Sequence, residues 1–115
     1  MPATRQPLSV AIITLNAAAQ LEACLRSVHF ADEIVVVDSG SVDATCSIAR
    51  ELGAKVFEQE WLGYAAQKNV AIDKAAHRWI LWVDADEEVT PALADEIRTL
   101  DFSAAGYAVP RRVYY

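Results

Sequence analysis

No apolar run in the 115-residue sequence approaches the roughly 20 residues that a membrane-spanning helix needs, and Met1-Pro2-Ala3-Thr4-Arg5-Gln6-Pro7 lacks the apolar core of a signal peptide. A span and a secretory leader are therefore not expected, and the cytoplasm is the default compartment. There is no basic surplus either: ten Lys and Arg face sixteen Asp and Glu, a net charge of −6. A general DNA or RNA binder needs a basic face, so nucleic acid is not an expected partner, and an anionic substrate would require a metal ion or local cations. Cysteine is scarce. Cys24 and Cys46 fall inside amphipathic helical patterns, without a partner at metal-like spacing, and read as reduced core residues. No repeat, low-complexity tract or Gly/Ser linker marks an internal boundary. One domain is expected, long enough to bury roughly two-thirds of its unfolded surface.

What the sequence does have is Trp79-Ile80-Leu81-Trp82-Val83-Asp84-Ala85-Asp86-Glu87-Glu88, five apolar residues running into a block of carboxylates. The apolar run predicts a strand buried on both faces at the centre of a parallel sheet. Its acids then sit at the carboxyl edge, where open α/β sheets bind their ligands.

Strands are also predicted for 8–14, rich in β-branched residues, for 33–38, four apolar β-formers ending on a carboxylate, and for 54–57. Gly106 to Tyr115 reads as a fifth, broken by Pro110. Between them lie helical patterns. The first carries Leu21, Cys24, Leu25 and Val28 on one stripe, with Asn16 as its N-cap. The second is capped by Asp43 or Ser41 and stopped by Gly53. A third, from Gly63, has helical spacing through Ala65, Ala66, Asn69, Val70, Ile72 and Asp73 and presents Gln67, Lys68 and Asn69 together. The fourth begins at Thr90-Pro91 and runs to about Leu100. This alternation predicts an α/β fold: a doubly wound, mostly parallel, Rossmann-like sheet with helices on both faces.

Asp84 and Asp86 are hard oxygen donors two residues apart. Magnesium takes one or two protein carboxylates and completes its shell with water and phosphate oxygens, so a bare Asp-x-Asp suffices chemically. The plainer alternative is a pair of exposed acids capping the next helix. Asp38 shifts the balance by bringing a second strand's acid to the same edge. There it can accept hydrogen bonds from a base or ribose, with the amides of 39–41 as donors, or simply cap its own turn. Trp61 and Tyr64 either stack on a base or sugar or cover the sheet edge. His29 and His77 suit helix ends. Arg111 and Arg112 meet phosphate or an acidic acceptor, or block edge aggregation.

Four blocks together resemble the family 2 glycosyltransferases: Ala11-Ile12-Ile13-Thr14-Leu15-Asn16, Ile34 to Asp43, Gln67-Lys68-Asn69 and Val83-Asp84-Ala85-Asp86-Glu87. Gly63-Tyr64-Ala65-Ala66-Gln67-Lys68-Asn69 looks most similar to the bacterial lipopolysaccharide-core glucosyltransferases. The resemblance implies a GT-A fold in which Thr14, Asn16 and Asp38 surround the nucleoside and Lys68 lies near the diphosphate. Asp84 and Asp86 would hold Mg²⁺ or Mn²⁺, with Asp84 also facing the nucleotide. It implies a UDP-sugar donor, a glycan or lipid-linked acceptor, inversion by single displacement, and at most peripheral contact with the inner face of the bacterial inner membrane.

In this family the general base lies downstream in an acceptor-recognising half, and the chain ends at Tyr115 within a strand-like segment. Residues 1–115 are therefore expected to be the nucleotide-sugar-binding part of a longer enzyme. Asp95, Glu96 and Asp101 read as surface charges rather than bases. Ala17 and Val42 stand where the family usually has Glu and Thr, and each lost polar contact is expected to weaken nucleotide binding by about 0.5–1.5 kcal/mol. The alternative is an inactive or engineered half-domain that forms a homodimer through its C-terminal strand. A phosphoacceptor signalling domain is disfavoured because Thr14-Leu15-Asn16 supplies no acidic pair after the first strand.

Overall fold

The structure, a computed structural model, describes residues 7–99. Within them strands and helices alternate: β1 (Leu8–Thr14), α1 (Ala18–Ser27), β2 (Glu33–Asp38), α2 (Thr45–Glu51), β3 (Lys55–Glu58), α3 (Tyr64–Lys74), β4 (Trp79–Trp82) and α4 (Pro91–Thr99). The strands form one parallel sheet in the order β3-β2-β1-β4. The sequence therefore predicts the class correctly. The expected fifth strand at Gly106 to Tyr115, and the dimer contact assigned to it, lie outside the described residues.

Side-chain alternation divides the core into two layers. Val10 and Ile12 of β1, Ile34 and Val36 of β2 and Leu81 of β4 face α1, α2 and α4, meeting Leu21, Cys24, Leu25, Val28, Ala49 and Ile97. On the other face Ala11, Val35, Val37 and Trp82 pack against α3 through Ala71. Strands clothed on both sides need apolar residues at consecutive positions, and this is why β1 and β2 read as unbroken runs. The predicted bounds of both strands match, as does the buried stripe of α1. β3 starts one residue later than expected. Gly53, at φ 90°, ends α2 as anticipated. Its amide returns to Arg50 O at 3.1 Å and that of Ala54 to Ala49 O at 3.0 Å, the paired bonds of a Schellman stop.

Three expectations need correction. Among the described residues β4 stands at the edge of the sheet rather than at its centre, pairing with β1 from Leu8 opposite Trp79 to Ala11 opposite Trp82. Its apolar run reflects cover on both faces, Leu81 toward α1 and Trp82 toward α3, which says nothing about how many edges are paired. α3 does not present Gln67, Lys68 and Asn69 together, since it buries Gln67 with Ala71 and leaves Asn69 exposed. Finally, Asn16 does not cap α1. It adopts a left-handed conformation at φ 51°, tolerated by Asn, and Ala17 takes the cap position without a side-chain bond.

Strand order reverses beside β1, since β2 and β3 continue to one side and β4 returns on the other. Such a switch point opens a crevice at the carboxyl ends of the strands. Here it is accentuated because β4 leaves the sheet opposite Ala11, so Ile13 and Thr14 extend beyond it.

Candidate functional site

The loops after β1 and β2 are tied to each other through Asp38, which is 1% exposed. Its Oδ1 accepts the hydroxyls of Thr14 at 2.7 Å and Ser41 at 2.5 Å, and its Oδ2 accepts the amides of Gly40 at 2.9 Å and Ser41 at 2.7 Å. Four donors fill the acceptor sites of a carboxylate. Burial pushes the Asp38 carboxyl upward, but the bonds from Ser41, Thr14 and Gly40 outweigh it and hold the group below its ordinary value.

Further bonds lace the same two loops. Asn16 donates its amide to Ser41 Oγ at 2.7 Å and accepts the Val42 amide on Oδ1 at 2.8 Å. The amide of Ala17 donates to Thr45 Oγ1 at 2.9 Å, and that of Ala18 to Asp43 Oδ2 at 3.2 Å. Asp43 also receives the Thr45 amide at 3.0 Å, and so serves the starts of both α1 and α2. Ser39 N–H returns to Thr14 O at 3.1 Å. The amides of 39–41, expected as donors, are thus all engaged internally, and so are those of 42 and 16–18. A diphosphate at this edge would have to be neutralised by side chains or a metal ion. Of the two departures, Ala17 is buried in the core, whereas Val42 is 90% exposed.

On the α3 side of the edge lies a cavity of about 540 Å³ lined by Ile13, Thr14, Leu15, Ser39, Trp61 and Tyr64. Trp61 and Tyr64 meet edge to face, with ring centroids 4.9 Å apart, and are 48% and 71% exposed. They form a wall of this cavity. The loop carrying Trp61 is pinned by fully buried Gln67, whose Oε1 accepts the Leu62 amide at 3.1 Å and whose Nε2 donates to Gln59 O at 3.0 Å. Gln67 is therefore a loop anchor, separated from half-buried Lys68 and exposed Asn69. Its spacing from Trp61 could not reveal that role. Lys68 reaches back instead, its Nζ 4.9 Å from the centre of the Trp82 ring.

The acids after β4 form a turn closed by Glu87 N–H donating to Asp84 O at 3.0 Å. Asp84 and Asp86 are both exposed in it. Glu87 Oε1 accepts the Asp84 amide at 3.2 Å. Beneath the turn lies Cys24, fully buried, whose thiol is pushed up to about 12 by burial and then by Glu87, Asp86, Glu88 and Asp84. It therefore remains a protonated S–H. Among the described residues no three His, Cys, Asp or Glu side chains gather as a metal cage. Two exposed carboxylates do fit a magnesium-like ion that completes its shell with phosphate oxygens and water.

The structure thus brings Thr14, Asn16 and Asp38 together through a continuous hydrogen-bond network. It places Asp84 and Asp86 at the same sheet edge, and Lys68 against the strand that leads to them. A model of glycosyl transferase family 2 matches residues 9–115. The chain belongs to that family. Within it, the chain is 50% identical over 91 residues to an uncharacterized glycosyltransferase of Rickettsia bellii (strain RML369-C), covering 78% of this chain and 31% of that protein. It is 35% identical over 116 residues to the lipopolysaccharide core biosynthesis glycosyltransferase LpsC of Rhizobium meliloti (strain 1021), covering 94% and 43%.

Solved family-like folds include S. aureus TarS 1-349 in complex with UDP, at TM-score 0.66 and 30% identity over 78% of this chain and 30% of that one. The fold also superposes on glucosyl-3-phosphoglycerate synthase from Mycobacterium tuberculosis, crystallised with Mn²⁺, UDP and glucosyl-3-phosphoglycerate, at TM-score 0.62 and 23% identity, covering 82% and 40%. The chain spans roughly a third of the length of the first curated relatives it matches. No helix among the described residues is long and apolar enough to cross a membrane.

Proposed function

We propose that this chain is the nucleotide-sugar-binding portion of an inverting glycosyltransferase that transfers a hexose from a UDP-sugar to a lipopolysaccharide-core or other glycan acceptor. One observation carries the reading: an aromatic-walled cavity beside Thr14 and a two-carboxylate turn after β4 share the sheet edge where strand order reverses. The UDP of the TarS complex supports the donor class, and the LpsC likeness supports the acceptor class.

In this account the uracil and ribose occupy the cavity against Trp61 and Tyr64. Thr14, Asn16 and Asp38 shape its floor, and Asp38 acts mainly by fixing the loop, since its oxygens are already occupied. Lys68 turns its ammonium toward the diphosphate. Asp84 and Asp86 would hold Mg²⁺ or Mn²⁺ there, and the ion, when bound, would neutralise charge that develops on the departing nucleoside diphosphate. Engagement of the loop amides leaves this charge to Lys68 and the acidic turn. Attack by the acceptor hydroxyl in one displacement inverts the anomeric centre. No residue described here is assigned as its base, because Asp95 and Glu96 lie on the exposed side of α4.

Calorimetric titration with UDP, with and without Mn²⁺, tests the reading. The expected result is binding that Mn²⁺ strengthens, with Asp84→Asn and Asp86→Asn each reducing that gain by about tenfold or more. UDP binding that ignores Mn²⁺, or a gain that survives both substitutions, would contradict it.

A further inference from the structure

The acidic turn poses a mechanical difficulty that the sheet does not solve. Four carboxylates at Asp84, Asp86, Glu87 and Glu88 lie within five residues and repel one another, more so because water covers only part of the segment. β4 ends at Trp82, and the last ladder-like bond is Val83 N–H to Ala11 O at 3.2 Å. From there to α4, no β-pairing among the described residues supports the segment. A metal pair held loosely loses affinity, because the ion then has to order its own ligands.

Support comes from the last turns of α1. Cys24 directs its S–H at the carbonyl of Asp84, with Sγ 3.5 Å from the oxygen. Ser27, one turn on, accepts the amide of Val89 on Oγ at 2.9 Å and donates the same hydroxyl to Cys24 O at 2.7 Å. The two ends of the acidic segment, 84 and 89, are therefore fastened to neighbouring turns of one helix through side chains three residues apart. Val89 is 7% exposed, so its amide would otherwise be buried beside an apolar core without a partner. Asp84, Asp86 and Glu88 are left exposed to solvent, while half-buried Glu87 folds back on the Asp84 amide.

We infer that Cys24 and Ser27 are positioning residues which clamp the Asp84–Val89 segment to α1 so that Asp84 and Asp86 meet a divalent ion in one geometry. The inference rests on the metal-diphosphate reading above. It assigns α1 a task beyond core packing.

The test compares UDP affinity with and without Mn²⁺ in the wild-type chain and in Ser27→Ala, Ser27→Thr and Cys24→Ala, with thermal midpoints recorded alongside. Ser27→Ala should cut the Mn²⁺-dependent gain about tenfold while metal-free UDP affinity stays within about twofold, and Ser27→Thr should restore the gain, since its hydroxyl can make both bonds. Cys24→Ala should reduce the gain in the same selective way. Full retention of the gain in both Ser27→Ala and Cys24→Ala would overturn the inference. So would parallel losses with and without Mn²⁺, the mark of residues that merely hold the fold together. If the wild-type chain itself shows no Mn²⁺-dependent gain, the metal reading fails first and takes the clamp with it.

Discussion

Asp38 was legible in the sequence as an acid delivered to the strand edge, but not as an acid with no acceptor site to spare. Its four donors, on Thr14 of β1 and on Gly40 and Ser41 of its own loop, include one that only the folded register, which sets Thr14 opposite Asp38, brings into reach. The same limit applied to Gln67. A motif shows that Gln, Lys and Asn are adjacent, whereas the helix turns them in different directions, burying the first and leaving the second against Trp82. A neutral ring holds an ammonium without neutralising it. Among the described residues no carboxylate forms a salt bridge with Lys68, which leaves its charge for the diphosphate of the proposed donor. Lys68→Met should therefore weaken UDP binding by about tenfold, the scale of one charged hydrogen bond, and leave uridine binding nearly unchanged. Equal losses for UDP and uridine in calorimetry would remove Lys68 from the diphosphate.

At the scale of elements, β1 and β2 could be bounded from sequence because a strand covered on both faces leaves an unbroken apolar record. The position of β4 in the sheet could not, since face cover and edge pairing leave the same record. Helix caps were the least legible feature: Asn16, Ser41 and Asp43 are all capping types, yet the tertiary arrangement divided the work among them. The opposite edge of the sheet holds a network that sequence reading missed entirely. Glu33, 7% exposed, accepts Ser9 Oγ at 2.6 Å, Lys55 Nζ at 2.8 Å and the Ala76 amide at 2.8 Å, joining three strands to the loop before β4. Burial alone would raise its pKa, but the bonds from Lys55, Ser9 and Ala76 prevail and lower it from 4.5 to about 2.

Because the folded state binds this proton less readily than the unfolded one, Glu33 contributes stability above about pH 4.5. That contribution falls away as the pH descends toward 2. Denaturant unfolding across this range should show the loss. Glu33→Gln should cost about 1–3 kcal/mol at neutral pH and flatten the acid dependence; an unchanged acid slope would show that other groups govern it.

For the molecule as a whole, the doubly wound plan follows from alternation of elements, and the plan itself locates the site, because the order β3-β2-β1-β4 reverses beside β1. The loops after β1 and β2, which contribute to the aromatic-walled cavity, and the turn that carries the acids open at that reversal. The opposite edge carries the Glu33 network instead. The Glu33 network and the candidate site thus lie at opposite ends of the strands, with α1 connecting the core to the acidic turn. Since the chain corresponds to about a third of its first curated relatives, nucleotide binding rather than turnover is the property to measure on it. The most direct measurement is the amide NMR spectrum of the chain with UDP as Mn²⁺ is added in small amounts. Paramagnetic broadening should fall on residues 84–88 and the end of β1, sparing Glu33 and Ala76 at the far edge. Broadening centred anywhere else, or none that depends on UDP, would contradict a metal-diphosphate site at the β1–β4 crevice.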